Sequence, residues 1–442
     1  MMPSKLSPKS VYSIGLLLIF IAAFATTGEK SFATAADTKV DLDSSLLQNQ
    51  PCIDGLSAQS FPCLNVNLFS RLDLKTSGIP ARSTNDIWGW TDSNSGREFA
   101  LVGLNSKMSV VEVTDPANPI HWGDLKTQTY SSTWRDVKVY QNHAFIVSEA
   151  YNHGLQILDL RPILTLDRSS APYEFSNSAF YDMFGSAHNI AINEDSGYAY
   201  VVGTDTCDAG MHVVDIRQPL HPTFATCVDK AIFEPVREIS ESPIRILHGE
   251  DYTHDVQCVN YHGPDEAFQG KELCFCSNAD TVNIVDVTNK ANPVQVSVKG
   301  YNGIGYTHQG WLTEDHKYFL LGDELDEMEA GHNTRTLIWD VSKISAPSHI
   351  GDYFSSQKAI DHNLYVKGNF AYQSNYDAGL RILDISDIAN ANLKEVGFFD
   401  TEPTSNVAEF LGAWSVYPYF PSGNVILSNI SGHLFSFQDV SR

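Results

Sequence analysis

Six short segments of the chain share one pattern of apolar and polar positions. Each is a run of β-branched and other apolar residues with an acidic residue near its end, usually followed within a few positions by proline or asparagine. Such a run predicts a β-strand that leads into a tight turn. The six copies are SVVEVTD (109–115), LQILDL (155–160), MHVVDI (211–216), VNIVDV (282–287), TLIWDV (336–341) and LRILDI (380–385). The chain is therefore a repeat protein.

The spacing of these copies predicts the architecture. The acidic positions are separated by 47, 56, 71, 54 and 44 residues, and they are Glu112, Asp159, Asp215, Asp286, Asp340 and Asp384. Periods above 40 residues that contain strands and no helical pattern are typical of four-stranded β-propeller blades. A second series of strand starts runs through the same region, at Trp88, Asp136, His188, His254, His308, His362 and Trp414. Seven starts predict seven blades.

The two ends of the repeat region predict how the ring closes. The last segment (413–437) supplies three strands, whereas NVNLFSRLDL (65–74) has strand composition and precedes the first complete blade. We therefore expect residues 65–74 to form the outer strand of the seventh blade, which removes an open sheet edge. The prediction is an all-β fold, with one seven-bladed propeller over residues 61–442 and insertions at 161–184, 228–251 and 260–271.

The amino-terminal residues predict export. Lys5 and Lys9 precede an apolar stretch from Val11 to Phe24, which small residues follow up to Ala35. This is the pattern of a secretory signal peptide (1–35), and it is too short for a spanning helix. Residues 36–60 are expected to form an extension with a disulfide loop. Because no second stretch of membrane length occurs and the chain stops at Arg442, we expect a secreted, monomeric protein without an integral span or a visible anchor.

Seven cysteines are consistent with an oxidising compartment. The spacing favours the pairs Cys52 with Cys63 and Cys207 with Cys227. Cys258 lies on one predicted strand, and Cys274 and Cys276 share one face of the next, so only one of them can pair with Cys258. Cys274 is favoured, which leaves Cys276 odd; the alternative is a metal clip formed by the CxC sequence.

The charge excludes one class of partner. The net charge is −24, and it becomes −26 once three lysines and one glutamate of residues 1–35 are removed. Such a surface repels phosphate backbones and anionic membranes. Nucleic acid is therefore excluded as a partner.

Nine longer stretches of the chain carry a resemblance to a known family. They are NDIWGW (85–90), FALVGL (99–104), FIVSEAYNHGLQILDL (145–160), AHNIAINEDSGYAYVVG (187–203), YTHDVQC (252–258), YTHQGWLTEDHKYFLLGDELDE (306–327), HNTRTLIWDVS (332–342), IDHNLYVKGN (360–369) and GAWSVYPYFPSG (412–423). From about Cys52 to Phe437, the chain resembles the choice-of-anchor B family, whose members are exported and carry LVIVD-type repeats. The resemblance implies a secreted or surface-displayed β-propeller and assigns no reaction.

Candidate chemistry comes from the starts of the inner strands. His188, His254, His308 and His362 begin four successive inner strands, so we expect an arc of imidazoles around one mouth of the channel. Each is followed by a polar residue that should point the other way (Asn189, Asp255, Gln309 and Asn363). The loops on the same face carry Glu149, Asp205, Asp323 and Glu324 as possible outer-shell groups or general bases. Neutral imidazoles with nearby carboxylates suit zinc, copper or iron.

Calcium is a further possible cofactor, because acids lie in several loops. These acids are Asp205, Asp208, Asp280, Asp323, Asp326 and Glu329, and none of these loops matches the spaced EF-hand pattern. The histidines could also be structural and hydrogen-bond to neighbouring blades.

Two functions are compatible with the sequence. The favoured one is a secreted scaffold that binds an extracellular protein, a glycan or a small ligand at the channel-mouth face. The alternative is a metal-dependent enzyme, with an oxidoreductase as the favoured class, that uses the four histidines as ligands. The sequence assigns no catalytic residue.

Overall fold

The computed structural model describes residues 46–75, 83–229 and 252–441. The predicted signal peptide (1–35) and most of the insertion at 228–251 lie outside these ranges. The described residues form seven sheets, and their innermost strands contact one another in cyclic order. The predicted seven-bladed β-propeller is confirmed.

The first four strands of the described residues add to the last two blades. They are β1 (Leu46–Gln50), β2 (Leu56–Ser57), β3 (Phe61–Leu64) and β4 (Val66–Asp73). The first three blades then follow along the chain. Their strands are β5 (Thr84–Thr91), β6 (Glu98–Leu104), β7 (Lys107–Glu112) and β8 (Ile120–Lys126) in blade 1; β9 (Arg135–Tyr140), β10 (His143–Ser148) and β11 (Leu155–Asp159) in blade 2, with β12 (Tyr173–Phe175) and β13 (Ala179–Tyr181) in the insertion; and β14 (Asn189–Asn193), β15 (Tyr198–Val202), β16 (Met211–Asp215) and β17 (Thr223–Val228) in blade 3.

Blades 4 to 7 repeat the same antiparallel order. Blade 4 contains β18 (Thr253–Asn260), β19 (Glu272–Asn278), β20 (Thr281–Asp286) and β21 (Val294–Lys299), and blade 5 contains β22 (Thr307–Leu312), β23 (Tyr318–Asp323), β24 (Arg335–Asp340) and β25 (Ser348–Phe354). Blade 6 contains β26 (Leu364–Lys367), β27 (Phe370–Ser374), β28 (Leu380–Asp387) and β29 (Asn392–Phe399), and blade 7 contains β30 (Ala413–Tyr417), β31 (Asn424–Asn429) and β32 (His433–Asp439).

Helical structure is sparse in the described part of the chain. It comprises a five-residue helix, α1 (Asp326–Ala330), between β23 and β24, and 3₁₀ turns at Arg161–Thr165, Arg168–Ser170, Cys207–Ala209 and Ile388–Asn390. None of these described helices is long and apolar enough to cross a membrane.

The ring closes as the sequence predicts. Strand β4 pairs antiparallel with β32, with Leu68 opposite Phe437, and becomes the outer strand of blade 7. The short strands before it were not predicted. β1 adds a fifth strand beyond β4, and β3 pairs with β29 of blade 6, followed by β2. The amino-terminal segment therefore joins two adjacent blades.

The insertion at 161–184 has a similar role between the first two blades. Its strand β12 runs parallel to β8 on the outer edge of blade 1, whereas β13 completes blade 2. The three favoured disulfides are also confirmed: Cys52 with Cys63, Cys207 with Cys227, and Cys258 with Cys274. Cys276 is a buried free thiol, and its burial raises its pKa.

The core consists of apolar layers between neighbouring blades. One such layer joins β4, which we call the latch strand, to blades 6 and 7, and it contains Leu68, Phe399, Phe435 and Phe437. Because β4 comes from the other end of the chain, this layer holds the two ends of the propeller together.

Replacing Leu68 by alanine tests the latch. Leu68 is 1% exposed, so Leu68→Ala should lower the free energy of unfolding by about 2–5 kcal/mol through lost burial and a residual cavity. The matched control is Leu64→Ala, a leucine that lies two residues before β4 and is 43% exposed, which should change stability by about 0.5 kcal/mol or less. Urea unfolding followed by fluorescence measures both. Equal losses in the two variants would show that the latch does not carry this stability.

Candidate functional site

The inner strands place one residue from each of four blades at the same mouth of the channel. His188, His254, His308 and His362 form a continuous arc, with ring centroids 4.3, 4.3 and 4.5 Å apart in that order. His188 is half-buried and the other three rings are buried. The structure therefore brings the four predicted histidines together. Two other residues that the sequence analysis placed at inner-strand starts do not occupy the histidine position. Asp136 lies one residue further along its strand, and Trp88 lines a pocket nearer the opposite mouth.

Hydrogen bonds fix the orientation of three of these rings. Nδ1 of His254 donates to the backbone oxygen of His308 at 3.1 Å, and Nδ1 of His362 donates to the backbone oxygen of Trp414. A carbonyl oxygen only accepts, so both rings carry their hydrogen on Nδ1 and keep the lone pair on Nε2. Nδ1 of His188 lies 2.5 Å from a carboxylate oxygen of Glu149. This is how metal-ligating histidines are commonly held.

Glu324 completes a compact group with two of the histidines. It follows β23, and its two carboxylate oxygens lie 3.6 Å from Nε2 of His362 and 3.7 Å from Nε2 of His308. One ligand atom from each of the three residues lies within 4.8 Å of the other two. The hydroxyl of Tyr376 donates to Glu324 at 2.8 Å and orients the carboxylate.

The cavity at this mouth has room for about one water molecule or ion. The cavity lined by the four histidines, Trp134 and Trp414 has a volume of about 10 Å³, close to the space that one water molecule needs. An ion or a water molecule fits there. The Nδ1 atom of His308 has no hydrogen-bond partner among the described residues.

Burial sets the charge states at this mouth. It lowers the pKa of His362 to about 4 and that of His308 well below its usual range, so both imidazoles are neutral at pH 7. Burial raises the pKa of Glu324 to about 7, against the hydrogen bond from Tyr376. At His188, burial opposes the charged form, but the hydrogen bond and charge of Glu149 outweigh it and raise the pKa.

The remaining predicted acids lie in different surroundings. Glu149 pairs with His188, as described above. Asp205 accepts a hydrogen bond from the backbone nitrogen of Gly185 at 2.8 Å. Asp323 accepts from the hydroxyl of Tyr301 and the backbone nitrogens of Gly305 and Tyr306 at 2.6–2.9 Å. Asp205 and Asp323 therefore each join the end of the second strand of a blade to the segment that precedes the inner strand of the same blade.

A polar layer lies directly below the histidines. It contains the next residue of each inner strand, namely Asp86, Asp136, Asn189, Asp255, Gln309, Asn363 and Ser415. The ammonium group of Lys138 lies 2.6 Å from Asp136, whose other oxygen accepts from the backbone nitrogen of Ile190. Burial raises the pKa of Asp136 to about 8 and that of Asp255 to about 7, although Lys138 acts in the opposite direction.

A wider pocket opens beyond the polar layer, towards the other mouth. Its volume is about 330 Å³. Trp88, Trp311 and Tyr365 form an aromatic wall, with the ring of Tyr365 edge-on to Trp88 at 5.7 Å and to Trp311 at 4.9 Å. Glu194 and Asp195 lie exposed at its rim. This pocket was not predicted from the sequence.

Comparisons with known proteins agree with the repeat and the fold. A family model of the LVIVD repeat matches residues 184–230 and 361–401. The chain is thus a β-propeller with LVIVD repeats. No curated protein sequence matches it significantly.

Among solved structures, the chain is similar to Kuenenia stuttgartiensis hydrazine synthase. The sequences are 12% identical, the match covers 81% of this chain and 96% of that one, and the TM-score is 0.52. It is also similar to the β-propeller domain of Myceliophteria thermophila Cps50 (Swd1), with 9% identity, 83% and 99% coverage and a TM-score of 0.50. At these identities the likeness shows the fold alone.

The depressed pKa of His362 has a measurable consequence. Because the folded-state pKa of about 4 lies below the usual value of 6.5, the unfolded chain binds the extra proton first as the pH falls. The contribution of His362 to the free energy of unfolding is therefore complete above pH 6.5 and falls by up to about 3 kcal/mol between pH 6.5 and pH 4. In urea unfolding, the free energy of unfolding of the chelator-treated protein should decrease over this pH range more steeply than that of His362→Gln.

The control for this prediction is His221→Gln, which replaces an exposed histidine far from the channel. Its unfolding free energy should follow that of the unmodified protein at every pH. If the curve of His362→Gln is also parallel to that of the unmodified protein, the imidazole is not held neutral.

Proposed function

We propose that this protein is a secreted β-propeller that binds one divalent transition-metal ion at the histidine mouth of its channel. The ligands are His308, His362 and Glu324. The observation that carries the proposal is their geometry, with ligand atoms within 4.8 Å of one another beside a cavity of about 10 Å³. Binding of a partner protein or a small ligand at this face would then depend on the ion.

The donor set suits the chemistry of such an ion. Two neutral imidazoles and one carboxylate are a common ligand set for zinc and for non-haem iron, and they leave positions open for water or a small ligand. The backbone oxygen of Trp414 and the hydroxyl of Tyr376 would hold His362 and Glu324 in place. His254 is the next ring in the arc, and beyond it the His188–Glu149 pair can hold or release a proton near the ion.

A purely structural role for these histidines explains the geometry less well. Structural side chains are held by hydrogen bonds at about 2.7–3.2 Å. The Glu324 carboxylate instead lies 3.6–3.7 Å from both Nε2 atoms, and Nδ1 of His308 lacks a partner among the described residues. These distances leave room for an ion between the three groups.

One structural observation and one sequence prediction support the extracellular location in this proposal. The three disulfides are compatible with an oxidising compartment, and the predicted signal peptide would direct export. Together with the LVIVD repeats, they support membership of the choice-of-anchor B family.

The wide pocket supports a second candidate function, the binding of a small ligand. Its volume of about 330 Å³ suits a compact organic molecule. The wall formed by Trp88, Trp311 and Tyr365 offers aromatic faces and edges. The exposed acids Glu194 and Asp195 make the rim of the pocket negative. Aromatic rings with nearby negative charge favour an organic cation.

Elemental analysis tests the metal proposal. The stripped protein, incubated with zinc, copper, iron or manganese and then desalted, should retain about one equivalent of one of them by plasma mass spectrometry. His308→Ala/His362→Ala should retain none, because it removes two of the three ligands. The matched control is His121→Ala/His349→Ala, which removes two outer-strand histidines that pair with Asp124 and Asp352.

Two results would refute this metal site. One is equal metal in the site variant and its control. The other is a folded unmodified protein that retains none of the four metals.

A ligand experiment tests the wide pocket. Saturation-transfer NMR should detect binding of 2-phenylethylamine and not of 3-phenylpropionate, which has a similar body and the opposite charge. Trp311→Ala should weaken binding of the amine about two- to tenfold through loss of an aromatic contact. The control is Trp134→Ala, which removes a tryptophan at the histidine mouth. Equal binding of the amine and the acid would disprove recognition by charge.

A further inference from the structure

The face of the ring that carries the histidine mouth exposes large apolar side chains where blades 1 to 3 meet. Tyr130 and Trp134 lie in the loop that enters blade 2, Tyr151 lies between β10 and β11, and Met183 lies in the loop that enters blade 3. Their exposed fractions are 72, 44, 70 and 57% in that order. Among the described residues, the loops that join blade strands at the opposite mouth expose only Leu220 in this way.

Hydrogen bonds between the loops make these side chains parts of one surface. The hydroxyl of Thr129 donates to the backbone oxygen of Tyr151 at 3.0 Å. The backbone nitrogen of Gly154 donates to the backbone oxygen of Gly185 at 2.9 Å, and the nitrogen of Gly185 donates to Asp205 at 2.8 Å. These contacts link four loops, 127–134, 149–154, 182–188 and 203–210, whose exposed side chains we call the aromatic surface. Contiguous exposed apolar patches with polar surroundings are typical of interaction sites.

A buried arginine holds two of these loops in place. Arg135 takes the position of the histidines in blade 2 and is 2% exposed. Its guanidinium group donates to the hydroxyl of Thr127 at 2.6 Å, to Nε2 of His153 at 2.9 Å and to the backbone oxygen of Leu104 at 3.0 Å. Burial lowers the pKa of His153 to about 4, so its imidazole is neutral and can accept this bond. Loops that are held in place before a partner arrives lower the ordering cost of association.

The charge of the aromatic surface has one sign. Its exposed charged side chains are Asp182, Asp205 and Asp208, and all three are acidic. None of the four loops contains a lysine or an arginine. The whole chain also carries a net charge of −24. Such a surface attracts a cationic partner and repels an anionic one.

We propose that the aromatic surface binds a positively charged segment of a partner protein. Arginine and lysine side chains of that segment would pair with Asp182 and Asp205 and lie over the rings of Tyr130 and Tyr151. Aromatic residues and methionine are also the types enriched in protein interfaces. A second copy of this chain would bring further negative charge, and a neutral glycan would not pair with the acids. This role rests on the partner binding proposed above for the histidine face, and it names the class of partner.

Fluorescence anisotropy with a labelled peptide of Gly-Arg repeats tests the aromatic surface in the full chain. A Gly-Lys peptide should bind more weakly, because arginine stacks better on aromatic rings, and a Gly-Glu peptide should not bind. Tyr130→Ala/Tyr151→Ala should raise the Kd of the Gly-Arg peptide about five- to thirtyfold, because it removes two cation–π contacts without changing the charge. The control Leu220→Ala/Phe224→Ala, which removes two exposed apolar side chains of blade 3 outside this surface, should not change the Kd.

A single acid tests the contribution of charge. Asp182→Asn should raise the Kd about two- to fivefold at low salt through loss of an exposed ion pair, and high salt should remove this difference. The control Glu266→Gln changes the net charge equally by removing an exposed acid at the opposite mouth, and it should not change the Kd. Equal effects of these two variants would show that the peptide responds only to net charge, and they would overturn the proposal. No binding of the Gly-Arg peptide to the unmodified protein would overturn it as well.

Other occupants of the aromatic surface would give different results. Binding of maltohexaose that Tyr130→Ala/Tyr151→Ala abolishes would assign the surface to a neutral glycan. A dimer in sedimentation equilibrium that the same variant dissociates would assign it to a second copy of the chain. Either result would overturn the cationic partner.

The metal-site variant His308→Ala/His362→Ala separates this surface from the proposed ion. If this variant still binds the Gly-Arg peptide, the aromatic surface is upheld and its dependence on the ion is refuted. If the metal-site variant and Tyr130→Ala/Tyr151→Ala both lose binding, both proposals are supported. Binding that is lost in the metal-site variant and unchanged in Tyr130→Ala/Tyr151→Ala would refute the aromatic surface.

Discussion

The pairing of β4 with β32 is the constraint on which the rest of the structure depends. It places a strand from the start of the propeller on the outside of its last blade, so that seven sheets form a closed ring. Closure fixes the distance between neighbouring inner strands. The similar spacing of 4.3–4.5 Å between successive histidine rings follows from it, because each ring occupies the same position in its own blade.

Closure also forces polar groups into a narrow interior. Seven inner strands converge, and the residue after each histidine position is polar, so carboxylates from different blades lie close to one another. Lys138 offsets part of this charge through its contact with Asp136, and its ammonium group also lies over the ring of Trp88. The polar layer separates a small cavity on the histidine side from a wide pocket on the other side. The two ends of one channel thus have different chemistry.

Much of the fold was predictable from the sequence, because each blade repeats the same local pattern. The latch was predictable for a related reason, since a three-stranded last blade needs a fourth strand. The edge strands β1 to β3 were not, because such short segments become strands only through tertiary pairing. In blade 2 an arginine, Arg135, takes the position of the histidines, so the repeat spacing indicated the neighbouring Asp136 instead. The wide pocket depends on how Trp88 and Trp311 pack, which periodicity does not specify.

The candidate sites show how a repeat acquires a local function. All four histidines share one register, yet the close group with Glu324 forms only at blades 5 and 6. His188 already has Glu149 as its partner, whereas the loop after β23 brings Glu324 to His308 and His362. The repeated strands therefore supply the positions, and one non-repeated loop supplies the charge. This difference explains why strand periodicity identified the histidines but could not show which of them lie close enough to share an ion.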